Sequence, residues 1–339
     1  MWFIHLLWYL GSLAVITATL FSVLPGKLWW MRIWDFPRIQ VLCVGLVLLL
    51  VALLLYPEDS SLQIVWVVVM IMLSLSIIGQ LRWAARMTPL MTPEVRGGKH
   101  SNTDGTRSGC ARVVAANVDY TNSKRQSAME ILVESEADLM ALVEVDTQWG
   151  ELIESYSETY PYRVTEFREK GRGIALLSKL KLVEPEIQYL VEDDRPSIWA
   201  KLHTHGAIIG VCVLHPPPPG LKKRSEDERV SSKPRDIELM IAAKRIADST
   251  IEHWIMVGDF NDVGWSRTTE QAKQAGGLRD PRIGRGMYNT FPAHRPLLRY
   301  PIDHVLVTDA FRVERLTRLE DIGSDHLPLL TELWIDPSS

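Results

Sequence analysis

The chain has 339 residues, with 37 Lys and Arg against 41 Asp and Glu and a net charge of −4. That balance leaves no bulk electrostatic case for nucleic-acid binding, which draws its affinity from counterions released by an excess of cations. Three cysteines without a CxxC or Cys/His spacing point to neither a disulfide framework nor a zinc site.

The charge is unevenly placed. Before residue 82 the only charged side chains are Lys27, Arg32, Asp35, Arg38, Glu58 and Asp59. Residues 111–339 hold 29 Lys and Arg against 36 Asp and Glu, a net −7. The apolar part, residues 1–86, reads as a transmembrane region with helices over 2–24, 40–56 and 62–81. About 20 apolar residues cross the hydrocarbon core as a helix. The first and third runs meet that length; the second only just does, and either spans with local thinning or lies as half of a re-entrant hairpin, giving three spans or two.

The first run has neither a basic n-region nor a small-x-small cleavage site, so it is not read as a signal peptide. Trp29, Trp30 and Trp34 follow it, where amphipathic rings favour the headgroup zone. Lys27, Arg32 and Arg38 lie between the first two runs, Arg82, Arg86 and Arg96 lie after the third, and Pro57-Glu58-Asp59 carries no cation. The bias of basic residues toward the cytoplasm predicts an outside N-terminus and a cytoplasmic C-terminal domain. Residues 87–109, rich in Gly, Ser and Thr, read as a tether.

The domain expected over 110–339 shows short apolar runs between turn signals. Strands are predicted at 111–118, 139–145, 173–178, 198–202, 207–214, 254–258, 303–307 and 327–333, and helices at 123–136 and 236–246. Strands outnumber helices, which favours two packed sheets over a regular βαβ succession. The run 222–229 alternates in sign and reads as a solvated face.

Polar residues interrupt these runs at their ends: Asn117, Glu144, His215, Asp259-Phe260-Asn261, Asp303-His304 and Asp325-His326. Brought to one rim, their carboxylate and amide oxygens would suit a hard divalent cation. The histidines would serve for proton transfer.

In order and spacing these motifs resemble the endonuclease/exonuclease/phosphatase superfamily, with its deoxyribonuclease I-like fold, over about residues 111–335 and in a membrane-anchored, bacterial type of member. The resemblance implies an α/β (α+β) four-layer sandwich, two mixed sheets flanked by helices. It also implies roles. Asn117 in VVAANVDY and Glu144 in DLMALVEVD would hold the metal, Mg²⁺ or Mn²⁺, with Asp325 beside them. His215 in VCVLHPPPP would contact the phosphate. In Gly258-Asp259-Phe260-Asn261, Asp259 would activate water and Asn261 would contact the phosphate. Asp303 in Ile302-Asp303-His304 would pair with His326 of Ser324-Asp325-His326, the acid/base.

The expectation is a Mg²⁺-dependent hydrolase of phosphodiesters or phosphomonoesters, multi-pass in a bacterial inner membrane. Its partners would be the bilayer and a phosphate-ester substrate, either a lipid headgroup or a nucleic acid, with no protein partner. A metal-dependent nuclease is the alternative, favoured if apolar side chains at Met287–Phe291 stand out to enter a groove. A silent membrane scaffold would not need Glu144, Asp259, Asn261, Asp303 and His326 intact. Arg235 and the basic segment 278–299, with Arg279, Arg282, Arg285, His294, Arg295 and Arg299, are candidates to support the site or grip phosphate.

Overall fold

The computed structural model describes residues 2–24, 28–98, 110–204, 207–218 and 232–336. The loop with Lys27, residues 99–109 of the expected tether and the run 222–229 lie outside the described residues. The chain divides into two compact units, one of residues up to Met91 and one of most of the chain from Thr92 onward.

The first unit is helical: α1 (Trp2–Val23), a short α2 (Trp29–Arg32), α3 (Arg38–Ala52) and α4 (Ser60–Arg86). α1 and α4 are long and apolar enough to cross a membrane, while α3 is a shorter apolar helix of 15 residues. Small residues let the helices approach: Gly11 faces Leu48, and Gly45 sits between Ile77 and Val15. Trp8 Nε1 donates to Leu48 O at 2.9 Å and Gln80 Nε2 to Thr19 Oγ1 at 3.0 Å. These contacts set α3 antiparallel to both α1 and α4. The end of α1, the start of α3 and the end of α4 therefore share one end of the bundle. There Asp35 pairs with Arg32 and Arg38, and Trp83 lies under Arg38 and Arg86.

The second unit has eleven strands among the described residues: β1 (Cys110–Asn117), β2 (Leu139–Val143), β3 (Tyr162–Glu166), β4 (Ile174–Ser178), β5 (Leu182–Gln188), β6 (Ser197–Thr204), β7 (Ala207–Leu214), β8 (His253–Asp259), β9 (Asp303–Val307), β10 (Phe311–Arg318) and β11 (Leu329–Ile335). They form a six-stranded sheet, β10-β11-β1-β2-β4-β3, and a five-stranded one, β5-β6-β7-β8-β9. Each sheet is mixed, with one parallel pair, β1–β2 in the first and β7–β8 in the second.

Alternation along the strands builds three layers of core. Val113, Ala115, Ala141 and Val143 face Val211, Val213, Ile255 and Val257 between the sheets. Val114, Ala116, Met140 and Leu142 turn outward onto α5 (Arg125–Glu134) and α6 (Thr147–Ser155). Cys212, Leu214, Trp254 and Met256 meet α7 (Lys233–Ala247), and α8 (Arg267–Gly276) joins them through Ala272. This is the four-layer arrangement of two mixed sheets between helices. Both sheet faces are covered, which is why the central strands read as unbroken apolar runs.

Part of the predicted tether belongs to this unit. Gly98 N donates to Val313 O, Val313 N to Arg96 O, and Trp334 Nε1 to Gly98 O. Lys273 Nζ pairs with Glu94 at 2.8 Å. Residues 92–98 thus lie on this second unit as an added edge, and Gly and polar composition alone gave no sign of it.

Glu238 on α7 is fully buried, and neither of its carboxylate oxygens has a hydrogen-bond partner. Burial raises its pKa to about 8, with Arg195 opposing the rise and Glu192 adding to it. Between its unfolded and folded pKa values such an acid holds its proton mainly in the folded state, so the unfolded state gains by ionising. The folded state is favoured fully below about pH 4.5 and loses stability as pH rises toward 8. Glu238→Gln removes that dependence. Thermal unfolding of the full chain in detergent should show the variant gaining over wild type between pH 5 and pH 8.5, by on the order of a few kcal/mol. Parallel stability curves for the two proteins would refute this.

Candidate active site

The ends of the parallel pairs build the site. Asn117 closes β1, and Glu144 follows β2. His215 follows β7, and Asp259 closes β8. The antiparallel β8–β9 pairing sets Asp259 opposite Asp303, and Ser324-Asp325-His326 comes just before β11.

Asn117 ties the two sheets together. Its Nδ2 donates to Glu144 Oε1 at 2.8 Å and to Asp259 Oδ2 at 3.1 Å. Around Asp259 Oδ2 stand two imidazoles, His215 Nε2 at 3.7 Å and His326 Nε2 at 3.7 Å. His215 Nε2 is also 3.9 Å from Glu144 Oε1. Asp259 Oδ1 accepts the Asn261 N–H at 2.8 Å. The Asn261 side chain donates to Pro216 O at 3.0 Å.

His326 Nδ1 lies 2.8 Å from Asp303 Oδ2, and its Nε2 lies 3.9 Å from Asp325 Oδ1. A carboxylate beside Nδ1 fixes a proton there and leaves Nε2 to exchange one. All eight residues expected from the sequence, Asn117, Glu144, His215, Asp259, Asn261, Asp303, Asp325 and His326, meet in this one network.

The backbone carries strain at two of them. Glu144 has φ 65° and Asn261 φ 50°, a left-handed conformation that non-glycine residues adopt at a cost on the order of 1–3 kcal/mol. The tight fit continues in the glycines. A Cβ at Gly258 (φ 138°) would fall 2.0 Å from Leu214 O, so only glycine lets β7 and β8 close up before Asp259. A Cβ at Gly171 would fall 2.8 Å from Glu144 Oε2.

Burial governs the electrostatics. It raises the Asp259 carboxyl above the usual range, against the pull of His326. Burial also raises Glu144, where Asp325 and Asp119 add to the rise against Asn117 and His326. It raises Asp325 as well, with Asp119 and Asp303 adding to the rise. His326 moves the other way. Burial lowers it, but Asp303 and Asp259 outweigh that and hold the imidazole charged, pushed up to about 10. His215, buried beside Arg195, is kept neutral.

Two groupings could hold a cation. Asp259, Asp303 and His326 offer ligand atoms within 4.8 Å of one another. His326 Nδ1 is already engaged by Asp303 there, so that grouping works better as a proton relay. Glu144 and Asp325 offer hard carboxylate oxygens, and Asp325 adds to the rise of the Glu144 pKa, while the Asn117 amide, whose Oδ1 accepts the Asp119 N–H at 3.1 Å, braces Glu144 from the side. A cation would relieve the repulsion felt at Glu144, so the residues fit a divalent metal.

Of the supports around this network, Arg235 and Arg282 are candidates from the sequence, whereas Ser324 has no role of its own there. Ser324 Oγ donates to Asn117 O at 2.8 Å and accepts the His326 N–H at 3.0 Å, joining the first motif to the last. The Ser-x-His spacing was the available signal. Arg235, buried, donates to Asn261 O at 2.7 Å and lies 3.4 Å from Asp262. Arg282 is buried against Asp280 and lies 2.6 Å from His304, so it is structural. Phe291 packs on the His326 ring at 4.7 Å, and Tyr288 packs against the core between the sheets.

A model of the Endonuclease/Exonuclease/phosphatase family matches residues 114–326. No curated protein matches the sequence. Among solved structures, D. rerio TDP2 humanized by 14 mutations is 15% identical, covering 67% of this chain and 99% of its own, with a TM-score of 0.53. The human Nocturnin catalytic domain with bound sulfate is 18% identical, covering 68% and 96%, with a TM-score of 0.52. The endonuclease/exonuclease/phosphatase from Bacteroides vulgatus is 18% identical, covering 67% and 99%, with a TM-score of 0.53. These are likenesses of fold.

Proposed function

The chain belongs to the endonuclease/exonuclease/phosphatase family, whose members are divalent-metal-dependent hydrolases of phosphoester bonds, and from that membership we propose a membrane-anchored phosphoesterase working with Mg²⁺ or Mn²⁺. The observation that carries this reading is the His326 imidazole. It is held by Asp303 at 2.8 Å, and its other nitrogen is turned toward Asp259.

Glu144, Asn117 and Asp325 would hold the metal, and a cation bound there supplies charge neutralisation at the phosphate oxygens. The remaining steps fall to the chain's own side chains. Asp259 Oδ2 takes the proton of the attacking water, and its raised pKa suits a base near neutral pH. His326, charged and oriented by Asp303, donates from Nε2 to developing negative charge. His215, neutral, donates from Nε2 to a phosphate oxygen. Asn261 exchanges its bond to Pro216 O for one to phosphate.

We read α1, α3 and α4 as a multi-pass anchor in a bacterial inner membrane, with the catalytic domain cytoplasmic. Leu7, Leu13, Val47, Leu50, Ile64, Ile71 and Leu75 turn exposed apolar faces outward, which suits lipid. Arg32, Arg38 and Arg86 gather at one end of the bundle, which suits the cytoplasmic side. A cytoplasmic reporter fused after Ser339 should be active and an exclusively periplasmic one silent; the reverse would turn the topology over.

The preferred substrate is a membrane-proximal phosphoester, a lipid headgroup. The nuclease reading called for apolar side chains standing out at Met287–Phe291, whereas Tyr288 and Phe291 pack inward. Purified full chain would be offered a phosphoinositide, sphingomyelin and plasmid DNA. Hydrolysis of one of the lipids should require Mg²⁺ or Mn²⁺, stop with EDTA and return on metal addition. Cleavage of DNA alone would establish the nuclease. A folded, metal-binding protein that cuts none would defeat the enzymatic reading.

A further inference from the structure

The basic segment after α8 divides into two parts. In the first, Arg279 pairs with Asp309, Arg282 with Asp280, and Arg285 donates to Pro281 O and Val95 O. Those cations serve the fold. The second part begins at the active-site rim and returns to it. Phe291 and Tyr300 face each other as a bridge, Ala293 N donates to Asp325 O at 2.7 Å, and Leu327 N donates to Thr290 O at 3.0 Å. Arg299 closes the neck by donating to Pro292 O and Ala293 O.

Beyond that neck the turn His294-Arg295-Pro296-Leu297-Leu298 is exposed throughout, with Leu297 at 89% and Leu298 at 44%. Proline opens its short 3₁₀ turn, Pro296–Leu298. Two leucines are thus held in solvent by a braced loop, beside the residues that would do the chemistry. Arg295 is exposed next to them, and Arg318 of β10 is exposed while donating to Asn289 O. Among the acids, Asp321 acts on Arg299 and Asp325 lies at the base of the loop.

Resting on the phosphoesterase reading above, we propose that this tip docks on the surface of an anionic phospholipid bilayer. Leu297 and Leu298 enter the boundary between headgroups and acyl chains, and Arg295, Arg299 and Arg318 meet headgroup phosphates. Apolar side chains at a tip with cations around its base are the pattern of an interfacial anchor. A leucine wedge can also enter a nucleic-acid groove, but that binding needs cations along the phosphate backbone, and the tip itself brings only Arg295, Arg299 and Arg318. Nor does the domain around it, with 29 Lys and Arg against 36 Asp and Glu over 111–339, supply a broad cationic track. The loop also joins directly to Asp325 and His326, so seating it would bring a lipid phosphoester to that rim.

The test uses the full chain, with a dansyl-bearing amino acid in place of Leu297, in vesicles of 80% phosphatidylcholine and 20% phosphatidylglycerol. A second protein carries the same probe in place of Glu151, an exposed residue on α6. The probe at 297 should emit at shorter wavelength than the probe at 151 and be quenched several-fold by acyl chains brominated near the headgroup. Equal emission at the two positions, with no bromine quenching at 297, overturns the proposal. A response at 297 to a duplex oligonucleotide but not to brominated lipid also overturns it, in favour of nucleic acid.

Hydrolysis of soluble bis(4-nitrophenyl) phosphate by the unlabelled chain, in the same vesicles with Mg²⁺, reports separately on the catalytic reading. Hydrolysis with a water-exposed probe at 297 sinks the docking alone. A buried probe without hydrolysis sinks the phosphoesterase alone.

Discussion

His326→Asn is expected to lower kcat for metal-dependent phosphoester hydrolysis by about 10²–10⁴-fold, the range that loss of an acid/base group produces. The reason lies in the pair. Asp303 Oδ2 holds His326 Nδ1 at 2.8 Å, so Nε2 alone exchanges protons with the substrate side. Asn can still bond Asp303 but cannot carry a proton between states. Asn is preferred to Ala because Asp303 is buried, its Oδ1 has no hydrogen-bond partner, and removing the imidazole outright would strand its charge. Steady-state kinetics with unchanged thermal unfolding would support the role. A variant within tenfold of wild type would remove His326 from the chemistry.

The companion result concerns Glu144→Gln. Gln keeps an oxygen for the Asn117 amide, which bonds Oε1 at 2.8 Å, and loses only the charge. If Glu144 is the principal metal ligand, Mn²⁺ binding by calorimetry should weaken about 10²-fold or more. kcat at limiting metal should fall on the order of 10³-fold, or about 4 kcal/mol. Excess metal should recover part of the rate, which it cannot do for His326→Asn. Unchanged metal affinity would move the site to the Asp259, Asp303 and His326 group.

The residues of the site were legible in the sequence because they stand at the edges of buried strands: Asn117, Glu144, His215 and Asp259 where one stops, Asp303 where one begins, and Asp325 and His326 shortly before one. Asn117 ends ARVVAAN, and Asp259 ends HWIMVGD, so a polar group after an apolar run announced itself. The fold was less evenly legible. β5, LVEPEIQ, and β10, FRVERLTR, are half exposed and charged, and their pairing comes from neighbours rather than from apolar periodicity. α8, RTTEQAKQAG, is strongly polar. Its Ser266 cap and left-handed Gly277 were the signals to use.

The basic segment shows a deeper limit. Arg282 and Arg295 look alike in sequence, yet one is buried against Asp280 and His304 and the other faces solvent. Charge says nothing of which way a side chain turns.

The last strand has a consequence in time. β11, the final strand, sits between β10 and β1, pairing Leu333 with Ala111 and Leu329 with Ala115, and His326 comes just before it. The first strand of the domain therefore waits for the last, across more than two hundred intervening residues. Long-range pairing of that kind is slow to form and cannot begin on an unfinished chain. During synthesis the apolar helices emerge and can reach a membrane while the domain behind them still lacks His326. On the reading proposed above, the site stays inert until β11 is made, and by then the apolar helices that precede it have long since left the ribosome.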